Sequence, residues 1–283
     1  MEFPRFRSLW ISDVHLGFKE CKAEYLLDFL RQNDCERLYL VGDLIDFWSL
    51  RKGSRWSAAH GEVLKAILAK ARAGTRVIYV PGNHDEVARD YLDLRVGDIE
   101  ILPEAIHITA DGRRFLVTHG DECDSAVRCG GPLLHWLGDG VYDLLLFLNR
   151  WYNRWRRRWN YHYWSLANFL KRRIGQAAAY IARFEAAAAH EAARRGLDGV
   201  ICGHIHHAAL RDFNSVLYCN DGDWVESCTA LVEHPNGVLE ILRWSHQQAV
   251  VAVREPRCLP GTPPVPGWAV GEHGVAGATG KVA

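Results

Sequence analysis

Three histidines lie within four positions of the sequence, at 204, 206 and 207, directly after the apolar run "LDGVIC". Imidazole is the side chain that most often binds metal ions in proteins, and two rings spaced as His-x-His can reach one ion. Four further stretches place polar side chains after an apolar, strand-like run: "SDVHLG", "VGDLIDFW", "PGNHDE" and "VTHGD". The five stretches provide these candidate metal ligands: Asp13, His15, Asp43, Asn83, His119, His204 and His206.

The donor atoms of this set indicate the class of metal. Carboxylate, imidazole and amide oxygen together suit Mn²⁺, Fe²⁺, Zn²⁺ or Mg²⁺, whereas the eight cysteines include no Cys-x-x-Cys pair of the kind found in structural zinc sites. The candidates are too many for one tetrahedral ion but suffice for two ions if one carboxylate bridges them. Taken singly, an aspartate at a strand end is more often a turn former or a helix cap. The metal hypothesis therefore depends on the five stretches acting together.

Short β-rich runs alternate with helical patterns along the chain, which predicts an α/β fold. The predicted strands "SLWISDVHL", "RLYLVGDLIDFW" and "TRVIYVPGNHD" are separated by the predicted helices "CKAEYLLDFLRQN" and "AHGEVLKAILAKARAG". Asp111-Gly112 and Asn236-Gly237 each favour the tight turn of a hairpin. Since ligands of open α/β sheets bind beyond the carboxyl ends of the strands, we expect the polar clusters to converge there.

The sequence divides into a core, an insertion and a tail. Residues 1–125 and 197–250 carry the strand patterns and form the predicted core. Residues 126–196 have the texture of long helices rich in Trp, Tyr and Arg, and we predict that they form an inserted helical cap. Residues 251–283 are rich in Gly, Pro, Ala and Val without periodicity, which predicts a disordered tail.

Five motifs in this order resemble the calcineurin-type metallophosphoesterases: Asp13-x-His15, Gly42-Asp43, Gly82-Asn83-His84-Asp85, His119 and Gly203-His204-x-His206. The resemblance implies a four-layer α/β/β/α sandwich with a dinuclear metal centre. It assigns one ion to Asp13, His15, Asp43 and His206, and the other to Asp43, Asn83, His119 and His204, with Asp43 as the bridge. It makes His84 a catalytic cation or acid beside the scissile phosphate rather than a ligand. Two such ions lower the pKa of a shared water and neutralise phosphate charge.

A finer resemblance covers most of residues 8–244. The stretches "YLVGDLIDFW", "VIYVPGNHDE", "VICGHIHHA" and "YCNDGDWVES" are similar to the UDP-2,3-diacylglucosamine diphosphatase branch, which acts in lipid A synthesis of Gram-negative bacteria. This resemblance implies Mn²⁺-dependent cleavage of a pyrophosphate to UMP and 2,3-diacylglucosamine 1-phosphate. The best characterised members of the branch read Gly-Asn-Arg-Asp where this chain has "GNHD", which indicates a more divergent subgroup.

The insertion carries a strong positive charge, with nine Lys or Arg and no Asp or Glu between residues 144 and 184. Trp151, Trp155 and Trp159 recur every four residues, so a helix places them on one stripe with arginines around it. One interpretation is a core-facing stripe beneath a solvated basic face. The interpretation that we favour is a cap beside the metal site that also contacts anionic membrane.

Candidate substrate contacts follow from the same charge. A diacylated, doubly phosphorylated substrate needs cations, for which we name Lys171, Arg172 and Arg173 in "SLANFLKRRIG". Weaker polar contacts are predicted for Ser165, Asn168 and Asp124. A solvated basic run remains the alternative for all of them.

Three neighbours of the motifs are expected to lie outside the set of ligands. Strand alternation turns His207 away from its neighbours, towards a supporting position or the surface. Asp46 and Asp85 are predicted to orient the ligands through hydrogen bonds.

Overall composition limits the function classes. The formal net charge is zero, so the global charge favours neither a nucleic-acid nor a membrane partner. The start of the chain has no pattern of an export signal, and no apolar run approaches the length of about 20 residues that spans a bilayer.

We therefore expect a cytoplasmic enzyme, peripheral on the inner membrane, that acts on an acylated UDP-sugar. Alternatives are a metallophosphoesterase for another phosphodiester, phospholipid or nucleotide, including single-stranded nucleic acid, and a non-catalytic scaffold.

Overall fold

Two β-sheets packed face to face position the five motifs. The computed structural model of the protein describes residues 5–127, 175–245 and 248–256. The strands are β1 (Arg5–Ile11), β2 (Asp34–Val41), β3 (Arg76–Val80), β4 (Arg95–Val96), β5 (Ile99–Ile101), β6 (Ala105–Ile108), β7 (Arg114–Val117), β8 (Gly199–Cys202), β9 (Ala209–Phe213), β10 (Val216–Asn220), β11 (Thr229–Glu233), β12 (Leu239–Trp244) and β13 (Gln248–Arg254). The helices are α1 (Ala23–Gln32), α2 (Phe47–Arg51), α3 (Ala58–Arg72), α4 (Asp121–Val127) and α5 (Gly175–Arg194), with a 3₁₀ helix at Glu86–Tyr91.

The first sheet has eight strands in the order β13-β12-β11-β1-β2-β3-β5-β4, and the second has five in the order β6-β7-β8-β10-β9. β1, β2 and β3 are parallel to one another, as are β7 and β8 in the second sheet. These five strands are the ones that the five motifs follow. The hairpins predicted at Asp111-Gly112 and Asn236-Gly237 connect β6 to β7 and β11 to β12.

Three apolar layers hold the sheets and helices together. On the outer face of the first sheet, α1 and α3 bury residues such as Phe29 and Val63. Between the sheets lies a second cluster that includes Trp10 and Phe115. On the outer face of the second sheet, α5 contributes Phe184 together with a row of alanines. The predicted α/β/β/α sandwich is therefore confirmed.

The structure differs from the predicted boundaries at two places. Residues 175–194, predicted as the end of the cap, form α5, whose apolar face covers the second sheet as the fourth layer of the core. Residues 251–254, predicted as the start of a disordered tail, belong to β13, which pairs antiparallel with β12. An amphipathic helix has the same periodicity on a cap and on a core sheet, so the sequence pattern did not distinguish them.

The rest of the predicted cap and tail, residues 128–174 and 257–283, lies outside the described residues. The same holds for the tryptophan stripe and for most of the predicted substrate contacts: Ser165, Asn168, Lys171, Arg172 and Arg173. Among the helices of the described ranges, none combines the length and the apolar character that crossing a membrane requires.

Truncating Phe184 tests whether α5 belongs to the core. The Phe184 side chain is fully buried, so Phe184→Ala is expected to lower the free energy of unfolding by about 3–5 kcal/mol in urea denaturation. The adjacent Arg183 is exposed. Arg183→Ala is therefore expected to change the free energy of unfolding by less than about 0.5 kcal/mol. Equal, small effects of both substitutions would contradict the assignment of α5 to the core.

Candidate metal centre

The backbone of the predicted ligands is unusual. Asp13, His15, Asp43, His204 and His206 all have positive φ, between 49° and 69°. Non-glycine residues rarely adopt this left-handed conformation, and it concentrates at functional sites, where the surrounding structure enforces it. Each turn aims a polar side chain back over the carboxyl end of the strand that it follows.

One group of ligand atoms surrounds Asp13. Its Oδ1 lies 3.1 Å from Nε2 of His206, and the same nitrogen lies 3.4 Å from Nε2 of His15. Asp13 Oδ1 is buried and has no hydrogen-bond partner among the described residues. A buried carboxylate oxygen without such a partner, faced by two ring nitrogens, fits a cation because burying an uncompensated charge is costly.

A second group surrounds His119, which is buried. Its Nδ1 lies 3.0 Å from the carbonyl oxygen of Val41, to which it donates a hydrogen bond. In the neutral ring Nε2 is then an acceptor, yet it faces Oδ1 of Asn83 at 3.2 Å and Oδ2 of Asp43 at 3.4 Å. Three acceptors directed at one point require a proton or a metal ion between them.

The electrostatics agree with this geometry. Burial lowers the pKa of the His119 ring, but Asp43 and Asp13 outweigh burial and raise this pKa to about 10. Burial raises the pKa of Asp43, but His119 and His15 outweigh it and hold this pKa well below its usual range. The carboxyl groups of Asp13 and Asp43 thus stay ionised, and their negative charge attracts a cation to the space between them and His119.

Asp43 lies between the two groups. Its Oδ2 is 3.8 Å from Nε2 of His15 and 3.4 Å from Nε2 of His119. Its Oδ1 accepts a hydrogen bond of 2.8 Å from the backbone N–H of His84. This position is the one that a carboxylate shared by two ions needs.

His204 and His206 share one turn but face different neighbours. The His204 ring lies beside the His119 ring, with centroids 5.1 Å apart, while His206 faces Asp13. His207 points elsewhere, as predicted, although residues 203–208 lie in a turn and not in a strand. Its Nδ1 lies 3.7 Å from Oε1 of the buried Glu185.

Two further carboxylates fix the ligand loops, as expected from the sequence. Asp46 lies 3.3 Å from Nδ1 of His15 through Oδ2, and 3.1 Å from Nδ1 of His84 through Oδ1. Asp85 accepts hydrogen bonds from the backbone N–H groups of Gly82 and Leu44, at 2.6 and 2.7 Å. Asp85 therefore connects the loop after β3 to the loop after β2.

The His84 side chain differs from the ligands in exposure. About a quarter of it is accessible, and its ring lies between the rings of His15 and Trp48, with centroids 4.6 and 4.2 Å away. A half-buried imidazole at the rim of the centre can approach a bound substrate and donate a proton to it. Sequence reasoning did not anticipate the contact with Trp48.

Asp124, predicted as a substrate contact, lies at the edge of the centre. Its Oδ2 is 3.7 Å from Nε2 of His204, and its Oδ1 accepts a hydrogen bond of 2.5 Å from the hydroxyl of Tyr180. The carboxyl group is largely buried, so it faces the ligand set rather than open solvent.

Sequence reasoning missed the support beneath the centre, which comes from the loop after β10. Ser12 donates a 2.6 Å hydrogen bond to Asp221, and the side-chain amide of Asn220 donates a 2.7 Å bond to the carbonyl of Gly203. The backbone N–H of Trp224 donates to the carbonyl of Asp13 at 3.1 Å. The dense polar stretch "CNDGDW" was the available signal.

Comparison with known proteins identifies the family of the chain. Residues 6–208 match the family described as calcineurin-like phosphoesterase. The chain therefore belongs to the calcineurin-like phosphoesterase family and is a hydrolase.

More specific similarities cover part of the chain. It is 32% identical over 117 residues to the UDP-2,3-diacylglucosamine hydrolase of Serratia proteamaculans, which is 40% of this chain and 48% of that protein. The protein of the same name from Xanthomonas campestris is 35% identical over 117 residues, 40% of this chain and 46% of that protein. The chain thus spans about half the length of the curated relatives it matches. Among solved structures, Yfce, a phosphoesterase from E. coli, superposes with a TM-score of 0.46 at 16% identity, over 88% of this chain and 99% of that chain.

Gly82 offers a test of the centre, because a Cβ atom there would overlap Oδ1 of Asp43 and the ring of His119. We expect Gly82→Ala to lower the affinity for Mn²⁺ at least about tenfold, as displaced supporting groups do at metal sites. Titration calorimetry measures the affinity for Mn²⁺, and metal analysis measures the metal content of the purified protein.

The matched control is Gly61→Ala. A Cβ at Gly61 meets only Trp56, at 3.7 Å, and we expect the metal content to be unchanged. Full metal binding by Gly82→Ala would show that the ions do not depend on the positions of Asp43 and His119.

Proposed function

We propose that the protein hydrolyses the pyrophosphate of UDP-2,3-diacylglucosamine to UMP and 2,3-diacylglucosamine 1-phosphate. The observation that carries the hydrolytic part is the convergence of carboxylates and imidazoles after five strands of the two sheets, β1, β2, β3, β7 and β8. The substrate is supported by the similarity to relatives named UDP-2,3-diacylglucosamine hydrolase.

We further propose that two divalent ions occupy the centre, with Mn²⁺ first and Fe²⁺, Zn²⁺ or Mg²⁺ as alternatives that suit the same donors. One ion would be held by Asp13, His15, Asp43 and His206, and the other by Asp43, Asn83, His119 and His204. When bound, such ions would supply a nucleophile near neutral pH and neutralise the charge of the phosphate. Asp43 would contribute to both sets of ligands, and Asp46 orients the His15 ring.

His84 carries the proton chemistry of the proposal. Its ring is kept in place by Asp46 and Trp48 at the rim of the centre. In its protonated form it neutralises charge that develops on the phosphate, or gives its proton to the leaving oxygen.

The proposal gives the predicted cap the task of holding the substrate. Lys171, Arg172 and Arg173 contact the phosphates, and Ser165, Asn168 and Asp124 make polar contacts. The basic, tryptophan-rich part of the insertion touches anionic lipid at the cytoplasmic face of the inner membrane, where a diacylated substrate resides.

A second candidate is hydrolysis of another phosphodiester, phospholipid or nucleotide by the same centre. It is favoured by His84, which stands where the best characterised members of the resembled branch have arginine, a different phosphate-binding group. A non-catalytic scaffold is disfavoured, because five of the predicted ligands fall into groups whose donor atoms could hold a metal ion: Asp13, His15, Asp43, His119 and His206.

Product analysis decides between the substrates. We expect the Mn²⁺-loaded protein to convert UDP-2,3-diacylglucosamine in mild detergent to UMP and the lipid 1-phosphate, detected by mass spectrometry. Asp43→Ala is the control and should leave the substrate intact. Turnover of a generic aryl phosphodiester with no turnover of the UDP-sugar would retain the phosphoesterase and reject the lipid substrate.

Replacing His84 separates proton transfer from metal binding. We expect His84→Gln to lower kcat by roughly a hundredfold or more, as the loss of an acid–base group does, with the metal content unchanged. Steady-state kinetics and metal analysis of one preparation measure both. Loss of metal from His84→Gln would instead make His84 part of the ligand set.

A further inference from the structure

An exposed basic and aromatic segment borders the metal centre. Between residues 47 and 61 the chain has three Arg or Lys, two Trp and no Asp or Glu. The side chains of Arg51, Lys52 and Arg55 are exposed, and the ion pairs found among the described residues include none of them. We call Trp48, Arg51, Lys52, Arg55 and Trp56 the basic aromatic surface.

The exposure of the two tryptophans sets this surface apart. Trp48 and Trp56 are 39% and 41% exposed, whereas the other described tryptophans, Trp10, Trp224 and Trp244, are at most 8% exposed. Exposing a large apolar ring to water is unfavourable. A pair of such rings among cations indicates a surface that a partner covers.

The framework that presents these side chains is fixed. Asp46 caps α2 by accepting a 2.7 Å hydrogen bond from the backbone N–H of Ser49. Ser57 caps α3 in a reciprocal pair with His60. The chain turns between the two helices at Gly53, where φ is 90°. The exposed rings and cations therefore occupy defined positions in α2 and in the turn that joins it to α3.

The surface adjoins the catalytic rim. The Trp48 ring packs against the His84 ring at 4.2 Å between centroids, with the two planes tilted by 34°. The backbone N–H of Phe47 donates to the carbonyl of His84 at 3.2 Å. Whatever the basic aromatic surface binds is thus held next to the group proposed to protonate the leaving oxygen.

We infer that the basic aromatic surface docks the protein on a bilayer that contains anionic lipids. Trp rings settle at the boundary between headgroups and acyl chains, and Lys and Arg beside them are attracted to lipid phosphates. The inference deepens the proposed function and rests on it only for the lipid nature of the substrate. It assigns a membrane contact to the core of the protein, outside the predicted cap, and it places the metal centre at the lipid surface.

Single-stranded nucleic acid is the competing partner for tryptophan among cations. Two observations favour the bilayer. One face of Trp48 is covered by His84, and Trp56 has the His60 ring against it at 5.3 Å, which limits the open faces on which bases stack. The cations of the surface also lie within five consecutive positions, 51–55, which gives a compact patch and not the long basic groove that tracks a polynucleotide.

Vesicle binding tests the inference. The full-length, Mn²⁺-loaded protein is sedimented with vesicles of phosphatidylethanolamine and phosphatidylglycerol, and with vesicles of phosphatidylcholine alone. We expect binding to the anionic vesicles only, weakened by salt. The variant Arg51→Glu/Lys52→Glu/Arg55→Glu should lose at least about tenfold in binding, since each cation near an anionic surface contributes severalfold. Trp56→Ala should also bind more weakly.

The matched control reverses three other exposed arginines, in the variant Arg5→Glu/Arg72→Glu/Arg114→Glu. Arg5 and Arg114 begin β1 and β7, and Arg72 ends α3, so all three lie at the edge of the sheets opposite the metal centre. The net charge changes equally, and binding should persist. Hydrolysis of a soluble aryl phosphodiester and circular dichroism report that each variant is folded, and Trp56→Ala serves as the second test if a triple variant is not.

Three results would overturn the inference: equal vesicle binding by the two triple variants, no binding of the unmodified protein to anionic vesicles, or binding to single-stranded RNA instead. Because vesicle binding is measured without substrate, its failure is distinct from failure of the proposed function. Vesicle binding without cleavage of UDP-2,3-diacylglucosamine would retain the docking surface and reject that substrate.

Discussion

The structure depends on a concentration of buried carboxylates and imidazole nitrogens whose hydrogen-bonding capacity neighbouring donors satisfy only in part. Oδ1 of Asp13 lacks a hydrogen-bond partner among the described residues, and Nε2 of His119 faces the oxygens of Asn83 and Asp43. Such an arrangement is unstable in a protein interior unless positive charge is supplied. The need for that charge explains why the same residues are brought together from both sheets.

Hydrogen bonds to backbone groups hold the loops of the metal centre in place despite the repulsion between its buried carboxylates. Five ligands adopt left-handed turns, each of which costs conformational energy. Asp85 holds the loops after β2 and β3 together through several backbone N–H groups, and the loop after β10 supports the turn at Asp13 from below. Rigid apolar layers on three levels prevent these loops from relaxing. Geometry and charge at the centre are therefore consequences of the whole fold.

The sequence predicted the centre better than its surroundings. Each predicted ligand lies within four residues of the end of a strand, so a local pattern was enough to single out Asp13, Asp43 and His119. The contact of Ser12 with Asp221 joins residues more than two hundred positions apart, and no local pattern encodes it. The helical periodicity around Phe184 was readable, but periodicity does not specify which surface a helix covers. The short apolar run of β13 was assigned to the tail because Pro and Gly follow it closely.

The hydrogen bond between Tyr180 and Asp124 has a consequence for how the chain can vary. Residues 128–174 leave the described fold at the end of α4 and re-enter it at the start of α5, and this bond ties the two helices together beside His204. The distance between the end of α4 and the start of α5 is therefore fixed by contacts within the sandwich. The segment between them is free to change in length and sequence from one homologue to another without displacing His204. If this segment holds the substrate, as proposed, the substrate range is able to diversify while the hydrolytic chemistry stays constant.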